Sequence, residues 1–299
     1  MNGVLPILSV PFDEHDAIDF DSVETQIDAL ADGGCNGVIL FGFGSEFYKL
    51  TDDELRELLS TAVEAGQKAE LPVYASITRQ ATVTAEAAAA EYAAIGADGL
   101  MILPPHQANP SEEAILEHLR RVGNRTDLPL MVQYAPQNVG VSISPDTFAR
   151  LSDAVPTISY YKIESHPPGP YISRLLDATS GNVDVLVGSA GQHLIDALDR
   201  GAVGVIPSGG MHEVYVDILD RYRRGDRAGA IEAHTSLLPL LNTFAGPESF
   251  IHFDKWVQAE RGFIDPDSAG VRAPTSEPDE RAATLFREHY QELSETYGW

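Results

Sequence analysis

The chain is short of cysteine, of lysine and of positive charge in general, and each shortage removes a class of protein. Cys35 is the only cysteine in 299 residues, so neither an intrachain disulfide nor a cysteine-based metal cluster can form. In "GGCNGVIL" it reads as a small buried apolar residue. Twenty basic residues face 45 acidic ones, for a formal net charge of −25. That sign repels phosphate backbones, so nucleic acid is not an expected partner. It does not call for cationic substrates, because a local site can oppose the global field. No apolar run approaches about eighteen residues, so no membrane span is expected. The opening "MNGVLPILSVPFDEHD" lacks a basic n-region, so no signal peptide is expected and the cytoplasm is the expected location. The nine histidines have no metal-ligand spacing, and neither a metal nor another cofactor is expected.

What is present is acid, spread along the chain in "FDEHD", "TDDELRELL" and "PDERAATLF". Acid-rich, lysine-poor chains of this kind resemble proteins of salt-loving organisms. High salt shortens the Debye length to about 3 Å and removes the self-repulsion.

Short apolar strands alternate with helical periodicity. The pattern predicts strands over Val4–Val10, Gly37–Phe41, Pro72–Ile77, Gly99–Leu103, Leu130–Tyr134, Ile158–Ile163, Val183–Val187 and Val203–Pro207. It predicts helices over Asp21–Asp32, Asp52–Ala65, Thr84–Ala94, Glu112–Val122, Pro145–Ser152, Tyr171–Ala178, Gln192–Asp199 and Glu213–Arg223. "LTDDELRELLSTAVEAG" carries the local grammar: Thr51 as N-cap, Glu54 completing a capping box, Gly66 ending the helix. Eight strand–helix units favour a closed parallel (β/α)8 TIM barrel over an open doubly wound sheet. We place the barrel and its site in residues 1–224. Residues 225–299 form a C-terminal helical extension, whose "SLLPLLNTF" and "FIHFDKW" offer apolar surface for a partner copy.

Only four lysines are present, and Lys162 lies inside an apolar strand, "TISYYKIES". A barrel's active site lies at the C-terminal ends of its strands. The polar residues there include Ser45, Glu46, Tyr134, Lys162, Glu164, Ser189 and Ser208. A desolvated amine attacks a ketone to form a Schiff base. The imine withdraws electrons, so a proton can leave the neighbouring carbon, or a bond one further out can break. A tyrosine in reach shuttles protons, and glycine turns present N–H groups to a carboxylate. Lys162, Tyr134 and the Gly42–Glu46 turn thus suit a small-molecule 2-oxo acid. The plainer alternatives are an ion pair of Lys162 with Glu164, two residues on and on the same face, and a core role for Tyr134. His106 in "LPPHQANP" reads as an ordinary loop histidine.

These residues carry a resemblance. Along nearly its whole length the chain resembles the dihydrodipicolinate synthase / N-acetylneuraminate lyase family. The segments are "GVLPILSVPFDEHDAIDFDSVETQIDALADGGCNGVILFG", "SEFYKLTDDE", "LPLMVQYAP", "SPDTFARL", "YYKIES" and "ALDRGAVGVIPSGG". The family's Gly-Thr-Thr-Gly-Glu turn falls on Gly42-Phe43-Gly44-Ser45-Glu46, its strand-five tyrosine on Tyr134 and its strand-six lysine on Lys162. The resemblance implies a barrel, a lysine Schiff base, a tyrosine proton shuttle and a homotetramer built as a dimer of dimers. By it, Ser45 and the Gly44 and Ser45 amides hold the carboxylate, and the Ile206 carbonyl lies near the lysine. Glu164, Ser189 and Ser208 are assigned to the hydroxylated tail.

The departures narrow the function. Both turn threonines are replaced, "YAPQNVGVS" lacks the synthases' arginine, and "LPPHQANP" lacks their partner-donated tyrosine, with His106 near that place. These departures argue against lysine biosynthesis. "SEFYKLTDDE", "MVQYAP", "YYKIE" and "SLLPLLN" look more like the branch containing L-2-keto-3-deoxyarabonate dehydratase, whose members often carry another residue where Tyr134 stands. The expected function is a Schiff-base lyase, dehydrating a 2-keto-3-deoxypentonate to 2-oxoglutarate semialdehyde. The alternative is an aldolase releasing pyruvate and an aldehyde. Dihydrodipicolinate synthase and a non-catalytic keto-acid-binding protein are the remaining readings.

Overall fold

The strand–helix alternation is realised in the computed structural model, which describes residues 1–244 and 246–299. The strands are β1 Gly3–Val4, β2 Val38–Leu40, β3 Val73–Ile77, β4 Gly99–Ile102, β5 Leu130–Tyr134, β6 Ile158–Ile163, β7 Asp184–Val187 and β8 Gly204–Val205. They form one sheet in the order β1-β8-β7-β6-β5-β4-β3-β2. The helices are α1 Phe20–Asp32, α2 Asp52–Ala69, α3 Thr82–Ile95, α4 Glu112–Gly123, α5 Pro136–Val139, α6 Pro145–Ala154, α7 Gly169–Ala178, α8 Leu194–Asp199, α9 His212–Arg223, α10 Arg227–Leu241, α11 Pro247–Glu260 and α12 Glu280–Tyr297. A strand order that follows the chain, with helices between strands, is the (β/α)8 barrel, here with a C-terminal helical extension. Among the described residues no helix is long and apolar enough to cross a membrane.

The chain divides into two units, one of Met1–Asn2 and Pro72–Ile206, the other of Gly3–Leu71 and Pro207–Trp299. In the first, β3 to β8 pair in parallel, each with the next. The register sets Gln133 beside Lys162 and Tyr134 beside Ile163. Side chains alternate across a strand, so one anchored residue orients the rest. On β6 that residue is Tyr161, which is fully buried. Its hydroxyl donates to the Phe148 carbonyl at 3.0 Å and lies 2.7 Å from Ser152 Oγ, both on α6. Tyr161 and Ile163 therefore face the helices, and Tyr160 and Lys162 face the interior.

In the second unit the first strand is shorter than its apolar run. Pro6 has no N–H to give a ladder, and after Val4 only Ile7 bridges, in parallel, to both Ile39 and Ser208. Thr51 caps α2 as its sequence predicts: its hydroxyl accepts the Glu54 N–H at 3.2 Å, and the Glu54 carboxylate accepts the Thr51 N–H at 2.8 Å. Such a cap contributes about 1 kcal/mol. Gly66, expected to end α2, lies inside it. The helix runs on to Glu70, whose φ is 56°, and Leu71 donates back to the Gly66 carbonyl at 2.8 Å. Leu71 is buried, and an apolar residue tucked in after the cap is a recurrent way to end a helix.

The apolar stretches of the C-terminal helices are largely covered within the chain, with Leu238, Phe244, Phe250 and Trp256 half-buried. Leu237, Leu240, Leu241, Ile251 and Phe253 are buried. Phe253 stacks on Phe286 of α12, centroids 4.3 Å apart and planes 5° apart, and Phe244 joins them. The large hydrophobic residues left exposed among the described residues are Tyr48, Val83 and Ile231, none of them in those stretches.

Candidate active site

Lys162 lies on the inner face of β6 and is 5% exposed. Its ammonium meets Glu164 Oε1 at 3.2 Å. The alternation that turns Lys162 inward also turns Glu164 inward, two residues on. Three further features fix this carboxylate. Gln133 Nε2 donates to Oε2 at 2.6 Å, and the Ser189 N–H donates to Oε1 at 3.1 Å. Gly188 supplies room: a Cβ there would lie 2.4 Å from Glu164 Cγ and Oε1. Ser189 and Ala190 hold φ of 51° and 50°, a left-handed turn that non-glycine residues adopt rarely. The strain directs an amide at a carboxylate. Pairing of this kind is what keeps charges tolerable away from water. A carboxylate is also the group best able to move a proton beside an imine on Lys162.

Tyr134 is not brought to Lys162. It ends β5 beside Ile163 and turns to the helix layer. There it stacks on Tyr171 of α7, centroids 4.3 Å apart, and meets Phe148 of α6 edge-on at 5.7 Å. Its hydroxyl bonds the Ile143 N–H and Ser142, and burial pushes its pKa up. The β5 residue paired with the lysine, on its face, is Gln133, which sequence reasoning passed over. A strand slip of one residue exchanges the two faces. No signal on β5 alone singles it out, since all five residues of the strand are buried and it shows no alternation. His106 sits where a loop histidine is expected, its N–H donating to Gln80 Oε1 at 2.8 Å.

The other expected site residues have internal commitments. Ser45 is fully buried; its hydroxyl donates to the Leu8 carbonyl at 2.6 Å and its N–H to the Gly42 carbonyl at 3.0 Å. Two of the three hydrogens assigned to a carboxylate, both of them on Ser45, are thus in use. Gly44 is buried, and a Cβ on it would lie 3.2 Å from Phe250. Glu46 ends the turn with φ 51° and holds two lysines, Lys255 at 2.6 Å and Lys49 at 2.8 Å. Lys255 also donates to the Gly270 carbonyl at 2.6 Å. Burial lowers the Lys255 pKa to about 8 against the pull of Glu46. Ser208 bonds Asp254, a buried carboxyl that also accepts Ser9 Oγ at 2.6 Å, Gln258 Nε2 at 2.7 Å and the Gly210 N–H at 3.0 Å. Desolvation raises the Asp254 pKa in spite of those donors. Ile206 is buried and donates its N–H to the Val187 carbonyl at 2.9 Å. Among the described residues no cluster of three or more histidine, cysteine or acidic side chains could hold a metal ion.

The model of the Dihydrodipicolinate synthetase family matches residues 1–292. The chain belongs to that family. L-2-keto-3-deoxyarabonate dehydratase of Azospirillum brasilense is 27% identical over 290 residues, 95% of this chain and 92% of that protein. The 4-hydroxy-tetrahydrodipicolinate synthase of Synechococcus sp. strain CC9605 is 32% identical over 241 residues, 79% of this chain and 78% of that protein. Among solved structures, YagE is a prophage protein of the dihydrodipicolinic acid synthase family from E. coli K12, crystallised in complex with pyruvate. It superposes with a TM-score of 0.89 at 25% identity, covering 98% of this chain and 99% of that one. Within the Dihydrodipicolinate synthetase family this chain is a Schiff-base lyase.

Proposed function

We propose that the chain dehydrates a 2-keto-3-deoxy sugar acid, a pentonate giving 2-oxoglutarate semialdehyde. The observation that supports this reading is that a carboxylate, Glu164, and not a tyrosine, stands against Lys162, at 3.2 Å. Lys162 condenses with the C2 ketone and releases water. Glu164 removes a C3 proton, leaving an enamine. The enamine expels the C4 hydroxyl, which departs as water with the proton Glu164 carries. Loss of a C5 proton and protonation at C3 give the enol of an aldehyde, and hydrolysis of the imine frees Lys162. One water is lost overall.

Aldol cleavage would start from the same imine but needs a base at the C4 hydroxyl rather than at C3. Gln133 has no ionisable proton to serve there, which weighs against the aldolase. The dehydratase relative supports the same order.

Separate assays for semialdehyde and pyruvate, over a panel of 2-keto-3-deoxy pentonates and hexonates, test the reading. Semialdehyde without pyruvate is the expected outcome. Pyruvate release without semialdehyde would reverse it. Borohydride reduction in the presence of substrate should add to Lys162 the mass of the bound keto acid less water and plus two hydrogens, and Lys162→Ala should be neither labelled nor active.

A further inference from the structure

Gln133 has no place in the proton transfers above, yet its bond to Glu164 is among the shortest side-chain contacts around Lys162. It sits opposite Lys162 in the β5–β6 register and is 2% exposed. Its Nε2 lies 2.6 Å from Glu164 Oε2, while Oε1 is shared between Lys162 at 3.2 Å and the Ser189 N–H at 3.1 Å. Each oxygen of the carboxylate therefore has its own holder. Remove the Oε2 holder and the carboxylate can rotate about its last bond, because Ser189 and Lys162 both grip the other oxygen. Once Lys162 is consumed as an imine it no longer donates as an ammonium. The protonated imine keeps a single N–H, so more of the grip on Glu164 falls to Gln133 and the Ser189 amide.

We infer that Gln133 is a positioning residue that aims the Glu164 carboxylate at the carbon next to the imine on Lys162. It touches no reacting atom in this account. It acts through Glu164, and the inference rests on the reading that Glu164 moves the C3 proton. Misplacing a reacting group by about 1 Å costs up to about a hundredfold in rate. Gln133 should matter on that scale for proton transfer at the carbon and hardly at all for the extent of imine formation at equilibrium, which a positioning residue does not set.

The experiment separates those two steps with pyruvate as probe, in wild type, Gln133→Met, Gln133→Leu, Glu164→Gln and the double variant Gln133→Met/Glu164→Gln. Imine formation is read as the borohydride-trapped mass on Lys162 against pyruvate concentration. Proton transfer is read as exchange of the pyruvate methyl hydrogens in heavy water. Expected are trapping within about twofold of wild type in both Gln133 variants and exchange slowed about ten- to a hundredfold. The double variant should be no slower than Glu164→Gln alone, because positioning has no value once the positioned group is gone. Exchange at the wild-type rate in Gln133→Met, with trapping intact, would overturn the inference. So would a double variant slower than Glu164→Gln by the full Gln133 factor, since Gln133 would then act independently of Glu164. Equal loss of trapping and exchange in both Gln133 variants, each melting like wild type, would overturn it too. Failure of wild type itself to trap pyruvate would instead remove the proposed function beneath it.

Discussion

The Glu164 side chain fills the space that any Cβ at Gly188 would need: such a Cβ would lie 2.4 Å from Glu164 Cγ. The two residues come from the ends of neighbouring strands, β6 and β7. Gly188 is therefore required for the carboxylate's position rather than for its own backbone, whose φ of −97° any residue can adopt. Gly188→Ala should push Glu164 out of reach of either Gln133 or Lys162. The atoms met belong to a side chain that can swing away, so the fold should survive. We expect turnover to fall by about a hundredfold while the melting temperature moves by only a few degrees. Wild-type turnover in Gly188→Ala would show that Glu164 works equally well elsewhere.

Tyr134→Phe separates the sequence expectation from the structure. An acid–base tyrosine would cost about 10²–10⁴ in rate on losing its hydroxyl. Here the ring packs on Tyr171 and Phe148, and a phenylalanine keeps those contacts. The expected loss of rate is less than about tenfold, the low side of what a proton-transfer role requires. A larger fall in kcat at unchanged melting temperature would return Tyr134 to the chemistry.

The contrast between Tyr134 and Gln133 marks how far the sequence could be read. Capping chemistry is local, so Thr51 and Glu54 announced α2 correctly. Lys162 and Glu164 stand two apart on one strand, so their pairing was legible too. Parity on β5 was not, because a strand buried on both faces shows no alternation of polarity; only its register against β6 decides which side chain meets the lysine. Ser208 was misplaced for a related reason. Its partner Asp254 is far along the chain, and nothing near Ser208 signals a buried carboxyl. Gly66 misled because a glycine inside a helix and a glycine ending one look alike until the packing of Leu71 is known.

His118 should make the protein acid-sensitive. It is 3% exposed, with Nδ1 3.0 Å from Thr82 Oγ1. Burial lowers its pKa from 6.5 to about 4, Glu86 opposing and Arg121 assisting. A base whose folded pKa is depressed binds its proton in the unfolded chain first. Stability from the neutral imidazole is therefore complete above about pH 6.5 and lost as pH falls through that value towards 4. The loss is at most about 3–4 kcal/mol, taking about 1.4 kcal/mol for each pKa unit. The melting-temperature gap between wild type and His118→Gln should shrink or reverse across that window. Parallel curves would exclude His118 as the source.

Salt dependence follows from the charge of −25. Several ion pairs are exposed i,i+3 or i,i+4 contacts, such as Arg56–Asp53, Arg120–Glu117 and Arg200–Asp196, which water and salt screen to little net stability. They cannot offset the self-repulsion of so large an acidic excess at low ionic strength. We propose a homotetramer in high salt, on the family resemblance, since most of the apolar C-terminal surface is already covered within the chain. Melting temperature and light-scattering mass should both rise with potassium chloride and level off near 1 M, where the Debye length is about 3 Å. Screening depends on ionic strength, whereas salting-out depends on the anion and keeps growing with concentration. Chloride and sulfate compared at equal ionic strength therefore separate the two. Matching curves would support screening. A gain that appears only with sulfate and never saturates would assign the effect to apolar burial and leave the acidic surface without a role in stability. A monomer at every salt concentration would remove the tetramer.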